Sequence, residues 1–214
     1  MYRYNEVYLR LRRRHLTIMK QLAALLFLSC SGTAWGQFAE MWFSAGQSLL
    51  SNRALGSAAA FGGNKNDYEL ADGFRFGFRA AFNTPGIFGH EIQYAYNRTQ
   101  LVDNVNNVQT GMAIHQGGYN FLAYATKEGK RVRPFATGGL HFNNYVPPGS
   151  SAASGGGSTK VGVNYGGGLK VRLFSIWALR FDIRQYTNPK PFSLYMQEGW
   201  IRQTEVSAGA GVVF

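Results

Sequence analysis

The chain has 214 residues, enough for one domain with a substantial interior. Charged residues make up 15% of it, below the value of about 25% that is typical of soluble proteins. Aromatic residues also reach 15%, there are 27 glycines, and the mean hydropathy is only −0.19. This composition argues against a soluble α/β domain and against a bundle of apolar helices, and it favours alternating strands. The net charge is +11, but six basic residues precede residue 37 and the others are scattered, which disfavours a nucleic-acid-binding protein.

A secretory signal peptide is predicted to begin at Met19. Lys20 supplies its positive region, residues 22–28 form a short apolar segment, and small residues lead up to Gly36. Cleavage is therefore expected between Gly36 and Gln37. The apolar run is shorter than the roughly 20 residues with which a helix spans a bilayer, although an uncleaved membrane anchor stays an alternative.

This signal divides the chain into three parts. Residues 1–18 do not fit a signal peptide and are interpreted as an N-terminal extension from a start codon placed too early. Residues 19–36 are the predicted signal peptide, and residues 37–214 the barrel domain. Cys30 is the one cysteine of the sequence, and lipid attachment to it is a second alternative. If the chain is cut at the predicted position, the mature protein has no cysteine, which excludes disulfides and thiol catalysis.

Beyond residue 37 the dominant hydrophobic period is two, which is typical of strands. Eight strands are predicted, at about 38–49, 69–82, 87–101, 110–126, 132–145, 159–173, 177–187 and 200–214. Strands of soluble proteins usually have about 5–6 residues, whereas a tilted transmembrane strand needs about 9–11. The predicted lengths therefore favour strands that cross a membrane.

The links between these strands alternate in length. The short ones are 83–86, 127–130 and 175–176, and the long, polar ones are 51–68, 102–109, 146–158 and 188–199. Short and long links must lie at opposite ends of an up-and-down antiparallel sheet. Outer-membrane barrels have short periplasmic turns and long external loops. The pattern predicts an all-β fold, an eight-stranded antiparallel up-and-down transmembrane β-barrel with both termini on the periplasmic side.

One face of the strands is apolar and is assigned to lipid. Its members are Phe74, Phe76, Phe78, Ile92, Tyr94, Tyr96, Leu140, Phe142, Leu169, Val171, Leu173, Leu179, Phe181, Ile183, Val206, Ala208, Ala210, Val212 and Phe214. Aromatic residues near strand ends are interpreted as interfacial girdles: Trp42, Phe82, Phe88, Tyr145, Trp177, Tyr186 and Trp200. In the first and fourth predicted strands both faces mix apolar and small residues, so their orientation stays open.

The other face carries charges and is assigned to the lumen. The lumen ion-pair network is predicted to contain Arg75, Arg79, Glu91, Lys170, Arg172, Arg180, Asp182, Arg184 and Glu205. The remainder of this face is rich in Gly, Ser, Asn and Gln, unlike a water-exposed face rich in Lys and Glu. A soluble periplasmic lipocalin-like barrel has the same period with its apolar side inward, and it remains an alternative from the sequence.

Four segments carry a family resemblance: "PFATGGLHF" (134–142), "VNYGGGLKVRLF" (163–174), "ALRFDIRQY" (178–186) and "VSAGAGVVF" (206–214). Residues 38–214 resemble the OmpA-type eight-stranded outer-membrane β-barrel domain. The resemblance implies the barrel fold and a location in the outer membrane of a Gram-negative-type bacterium. It also implies that Phe214 is the C-terminal aromatic signal read by the barrel assembly machinery. Because the last predicted strand ends at residue 214, the periplasmic peptidoglycan-binding domain of many family members is not expected here.

The lumen charges must pair, because an eight-stranded barrel has an interior just wide enough for side chains and an unpaired buried charge is very costly. Arg180 and Arg184 flank Asp182 on one face, and Glu205 on the neighbouring strand is expected to reach Arg180 or Arg184. Two interpretations stay open. The charges form either a packed plug or the gate of a narrow pore.

No other arrangement predicts catalysis or metal binding. His90, His115 and His141 come from different strands without paired ligand spacing. Lipid A deacylases of the same barrel class use a His-x-Ser pair, but His141 is followed by Phe142 and Asn143. We therefore expect no metal, no cofactor and no enzymatic activity, with a lipid-modifying enzyme as an alternative.

The predicted function is a structural or small porin-like role, with the external loops making surface contacts. Expected partners are outer-membrane lipid and lipopolysaccharide, and the assembly machinery through the last strand. Nucleic acid is not expected as a partner, and the protein is expected to be a monomer. Loop 188–199 contains apolar and aromatic residues and is interpreted either as a lid that packs on its own barrel or as a contact surface.

Overall fold

The computed structural model describes residues 38–152 and 155–214. The predicted extension 1–18, the signal peptide 19–36 and the cleavage site at Gly36 and Gln37 lie outside them. Ten strands are present in this part of the chain: β1 (Phe38–Ser51), β2 (Ala54–Gly56), β3 (Tyr68–Leu70), β4 (Gly73–Asn83), β5 (Phe88–Asp103), β6 (Val108–Tyr124), β7 (Val132–Val146), β8 (Ser158–Arg172), β9 (Trp177–Pro189) and β10 (Trp200–Val213). Among the described residues, no helix has the length and apolar character needed to cross a bilayer.

Eight long strands form a closed antiparallel barrel. Going round it, the order is β1, β4, β5, β6, β7, β8, β9 and β10, and β10 pairs with β1 to complete the ring. Every pair is antiparallel and joins strands that follow one another in the chain, apart from the closing pair. The predicted eight-stranded up-and-down barrel is confirmed.

The first external loop has structure of its own. Residues 51–68 were predicted to be a long, polar link, and they contain β2, which pairs with β3. β3 in turn pairs with the external end of β5, where Tyr68 lies opposite Asp103. The barrel wall is therefore extended on this side beyond the ends of β1 and β4.

The second external loop is shorter than predicted. Instead of a loop over 102–109, β5 and β6 remain paired up to Asp103 and Val108, and only residues 104–107 form the turn. The Asp103 carboxylate accepts hydrogen bonds from the backbone N–H groups of Val105 and Asn106, both at 3.0 Å. Asn107 adopts the left-handed conformation with φ of 57°, which asparagine tolerates better than most residues.

The apolar face points outward, as predicted. Phe76, Tyr94 and Phe181 are 44%, 49% and 48% exposed at the barrel surface. A soluble barrel would bury these side chains in an apolar cavity, so the lipocalin-like alternative is wrong. An outward face of aromatic and aliphatic side chains suits contact with lipid.

The structure shows which face points inward on the two strands whose orientation the sequence left open, β1 and β6. On β1, Glu40, Trp42 and Ser44 are buried in the interior, while Met41 and Phe43 are exposed outside. On β6, the buried side chains include Gln116, Asn120 and Leu122, and Tyr119 and Phe121 are exposed outside. Both strands therefore alternate like the others once their inner face is recognised as a mixture of polar and apolar groups.

The predicted aromatic girdle is wrong for Trp42, Tyr145 and Tyr186, which are buried in the interior. Their polar atoms explain the placement, because a buried indole N–H or phenol needs a partner. The Trp42 Nε1 donates to Glu40 Oε2 at 2.8 Å, and the Tyr186 hydroxyl donates to Glu205 Oε2 at 2.8 Å. Phe82, Phe88, Trp177 and Trp200 do lie on the outer wall near strand ends.

Candidate functional site

Buried charges fill the middle of the barrel interior. They lie on the inner faces of β4, β5, β9 and β10, whose period of two directs every second side chain to the lumen. Seven of the nine residues predicted for the ion-pair network meet here: Arg75, Arg79, Glu91, Arg180, Asp182, Arg184 and Glu205. We call these seven residues the central cluster. All of them are almost completely inaccessible to solvent.

Asp182 is the acceptor between the two arginines of its own strand. Its Oδ2 is 2.8 Å from Arg180 Nε, and its Oδ1 is 2.9 Å from Arg184 Nη2. Glu91, on the far wall, binds the same two guanidiniums, with Oε2 2.6 Å from Arg180 Nη1 and Oε1 2.9 Å from Arg184 Nη1. Two carboxylates and two guanidiniums thus span the lumen from β9 to β5. Hydrogen bonds between charged groups are strong, and the low dielectric of a buried site strengthens them further.

Glu205 binds arginines that the sequence did not indicate. It was expected to reach Arg180 or Arg184, but it pairs with Arg75 Nη2 at 3.2 Å and with Arg79 Nη2 at 2.5 Å. Arg184 lies directly opposite Glu205 in the β9–β10 register, yet its guanidinium turns to Asp182 and Glu91.

Small residues on β1 make these longer contacts possible. β1 lies between β4 and β10, and its inner face there consists of Ser44, Gly46 and Ser48. Gly46 is paired with Arg75 on one side and Ser48 with Glu205 on the other. With so little side chain in the way, the arginines of β4 extend across β1 to the carboxylate on β10.

Neutral polar side chains complete the hydrogen bonding around the central cluster. Arg75 Nη1 donates to Asn97 Oδ1 at 3.3 Å, and Arg184 Nη1 donates to Gln93 Oε1 at 3.3 Å. Gln203 Nε2 also donates to Asn97 Oδ1, at 3.2 Å. The guanidinium of Arg75 lies 4.9 Å from the centre of the Tyr186 ring, which adds a cation–π contact.

The remaining two predicted residues lie nearer the periplasmic end and outside the central cluster. Lys170 forms an ion pair with Glu40 and lies 2.5 Å from the Tyr124 hydroxyl. Arg172 is 31% exposed at the rim, where its Nη2 is 3.4 Å from Glu128 Oε1. Glu128 also forms an ion pair with Arg133.

Sequence reasoning missed Glu40, Glu128 and Arg133. Glu40 belongs to β1, whose two faces had seemed equally mixed, and Glu128 lies in the 127–130 segment, which was predicted only as a short link. Arg133 could have been found, because it precedes the inward Phe135 by two residues and therefore lies on the same face.

Apolar side chains close both ends of the interior. At the external end, a buried cluster joins loop residues to the barrel wall: Leu55, Leu70, Met112, Ile114, Tyr145 and Ile201. Phe192 and Leu194 of the loop after β9 pack against this cluster. At the other end, Leu122, Tyr124 and Phe135 form one group, and Trp42, Ala178 and Val213 form another.

In the loop after β9, partial burial lowers the pKa of Lys190. Attraction to Glu198 opposes this shift, and repulsion from Lys65 acts in the same direction as burial.

The histidines are separated between the two faces of the wall. His141 points inward, where its Nε2 lies 2.7 Å from Asn188 Oδ1. His90 and His115 lie on the outer wall, each within hydrogen-bond distance of a tyrosine hydroxyl, Tyr119 at 2.5 Å and Tyr94 at 2.7 Å. Within residues 38–152 and 155–214, no three His, Cys, Asp or Glu side chains come together as a metal-binding group.

Phe214 follows the last residue of β10. Its backbone N–H donates to the Ala39 carbonyl at 2.9 Å, which continues the β1–β10 pairing, and its ring is exposed on the outer wall. The ring is therefore accessible at the periplasmic edge of the closing strand.

A closed eight-stranded barrel with an apolar outer wall and a charged, packed interior defines an integral outer membrane protein. The chain belongs to the outer membrane protein beta-barrel domain family, whose model matches residues 22–214. The predicted family and the outer-membrane location are thereby confirmed. No curated protein matches the sequence significantly.

Solved structures of the same fold are found in other bacteria. Neisserial surface protein A (NspA) is 16% identical, with a TM-score of 0.55 over 84% of this chain and 99% of that chain. The outer membrane protein OprG from Pseudomonas aeruginosa is 12% identical, with a TM-score of 0.50 over 84% of this chain and 96% of that chain. At these identities the likeness establishes the fold alone.

Proposed function

We propose that this protein is a plugged, monomeric barrel with a structural role in the outer membrane, and that its external loops make surface contacts. The observation that carries the proposal is the central cluster, in which every guanidinium faces at least one carboxylate and no member is appreciably exposed. A solute that crosses the barrel has to separate these pairs.

The energetic cost favours a plug over a permanently open pore. Removing one partner of a buried ion pair costs about 3–5 kcal/mol, because the other charge is left uncompensated. Crossing the central cluster would disturb several such pairs in succession, and the external apolar cluster around Leu55 and Ile201 would also have to open. We therefore expect no steady conductance in the folded state.

Planar-bilayer recording of the refolded barrel tests this proposal. We expect a quiet baseline for the wild type and for Arg202→Ala, a control at an exposed position near the external end. Asp182→Ala and Arg180→Ala each remove one charge from the central cluster and leave the remaining buried partners with fewer opposite charges. Both variants should give intermittent openings of small amplitude. Regular conductance steps in the wild type would instead support a gated pore and contradict the plug.

The proposed surface contacts are supported by apolar side chains at the external tips. Phe61 is 95% exposed, and Val105, Tyr195 and Met196 are also exposed. Lipopolysaccharide is the proposed partner at this end. Trypsin cleavage after Arg53 and Lys65, which lie in the first external loop, should be slower in liposomes containing lipopolysaccharide than in phospholipid liposomes. Equal cleavage rates would count against contact between this loop and lipopolysaccharide.

We further propose that the barrel has no lipid-modifying activity. His141, the histidine compared with the His-x-Ser pair, faces Asn188 in the interior. The outer-wall His90 and His115 contact phenol groups, which are poor nucleophiles at neutral pH. Mass spectrometry of lipid A incubated with the refolded barrel should show unchanged acyl chains, and release of a fatty acid would overturn this part of the proposal.

A further inference from the structure

The two turns at the periplasmic end, residues 125–131 and 173–176, line a shallow, open groove at the rim of the barrel. It has a volume of about 380 Å³ and is lined by Gly129, Arg131, Arg172, Leu173, Phe174 and Ser175. We propose that this groove binds the phosphate group of an anionic phospholipid of the periplasmic leaflet.

Two arginines, Arg131 and Arg172, line the groove from backbone segments that are hydrogen-bonded to each other. The backbone N–H of Arg172 donates to the Arg131 carbonyl at 2.8 Å, so the turn that carries Arg131 is fixed against the end of β8. Arg131 is exposed and forms no ion pair with any described residue. Arginine binds phosphate oxygens through parallel N–H groups, and two adjacent arginines provide such donors from both sides.

The groove also has an excess of positive charge. The side chains of Lys127, Lys130, Arg131, Arg133 and Arg172 lie in or beside the first turn, whereas Glu128 is the acidic group among them. The Glu128 carboxylate already forms ion pairs with Arg133 and Arg172. Arg133 is buried nearby, and its Nε and Nη2 have no hydrogen-bond partner in the described part of the chain.

Apolar side chains on the other side of the groove indicate a lipid and not a soluble anion. Phe174 is 72% exposed, and Leu173 and Trp177 beside it are exposed as well. They continue the outer wall of β8 and β9 at the level where the strands end, which is the headgroup region of the membrane. A phospholipid there places its phosphate on the arginines and its acyl chains along Leu173 and Phe174.

Native mass spectrometry of the full refolded protein in detergent micelles tests the assignment, with dipalmitoyl phosphatidylglycerol as the probe. Arg131→Gln should weaken binding about tenfold, because it removes one charge-assisted contact without breaking an ion pair of the protein. The double variant Arg131→Gln/Arg172→Gln should lose about a hundredfold. Arg98→Gln/Arg202→Gln removes the same charge from exposed positions near the external end and should bind like the wild type.

Two further probes identify the source of the phosphate. Dipalmitoylglycerol, which has the same chains without a phosphate, should not occupy the site, and glycerol 3-phosphate should not displace the lipid at equal concentration. Effective displacement would mean a site for free anions and would overturn the lipid assignment. Unchanged binding by Arg131→Gln, or an equal loss in the Arg98/Arg202 control, would overturn the site itself. Heat-modifiable migration on gels verifies that each variant is folded.

Discussion

Asp182→Asn is the substitution that most directly perturbs the central cluster. The introduced amide would keep the shape of the side chain but remove the negative charge that lies within 3.0 Å of both Arg180 and Arg184. Glu91 would remain as the carboxylate in contact with both guanidiniums. The four arginines of the cluster would then face two carboxylates instead of three.

The expected cost follows from this change in charge balance. Leaving buried guanidiniums undercompensated should lower the free energy of unfolding by about 3–5 kcal/mol. Arg75→Gln is the matched control, since it also removes one buried charge but leaves three arginines with three carboxylates. Glu205 then keeps Arg79 at 2.5 Å and the Tyr186 hydroxyl at 2.8 Å, so we expect a smaller loss of about 1–2 kcal/mol.

Urea unfolding in phospholipid vesicles, followed by tryptophan fluorescence in both directions, measures these differences. The denaturant dependence should be unchanged among the three proteins, so that midpoint shifts report stability. The reasoning would be refuted if Asp182→Asn were no more destabilising than Arg75→Gln. A loss below about 1 kcal/mol for both variants would show that water screens the cluster.

Three other predictions concern the closing strand pair, the assembly signal and the mature terminus. Gly46→Val should abolish folding, measured as heat-modifiable migration on gels, because the added side chain meets the backbone of Val206 and Ser207. Gly111→Val, with open space around it, should fold normally, and equal folding of the two variants would contradict this prediction. Deleting Phe214 should reduce assembly in cells but leave refolding into vesicles unchanged, and a defect in both settings would indicate a purely structural role. Mass spectrometry of the exported protein should give Gln37 as its first residue, and any retained residue from 1–36 would contradict the predicted cleavage.

The fold could be predicted from the sequence because a barrel repeats one simple rule. Alternation along each strand is enough to assign the inner and outer faces of β4, β5, β8, β9 and β10. The rule was insufficient for β1 and β6, where small residues occupy both faces. It also misplaced Trp42 and Tyr186, since hydrophobicity ignores the polar atom that finds a partner inside the barrel.

The ion-pair partners within the lumen could not be predicted from the sequence, for a different reason. Which guanidinium meets Glu205 depends on side chains that reach across an intervening strand, and a pattern along one strand contains no such information. Arg184 is the register partner of Glu205, yet the contact goes to Arg75 and Arg79 because β1 leaves space there. Similarly, the short turn at 104–107 depends on hydrogen bonds to Asp103 that composition does not reveal.

The reach of Arg75 and Arg79 over β1 has a consequence for how the protein enters the membrane. Their carboxylate partner is on β10, the last strand to be synthesised, while the arginines are on the second strand of the ring. These ion pairs therefore form only once the two ends of the sheet have met. A partly inserted sheet leaves Arg75 without its carboxylate and Glu205 without both arginines, whereas Arg79 keeps Glu91 on the adjacent strand at 3.8 Å. The missing pairs favour an insertion reaction that proceeds to completion over one that halts at an open intermediate.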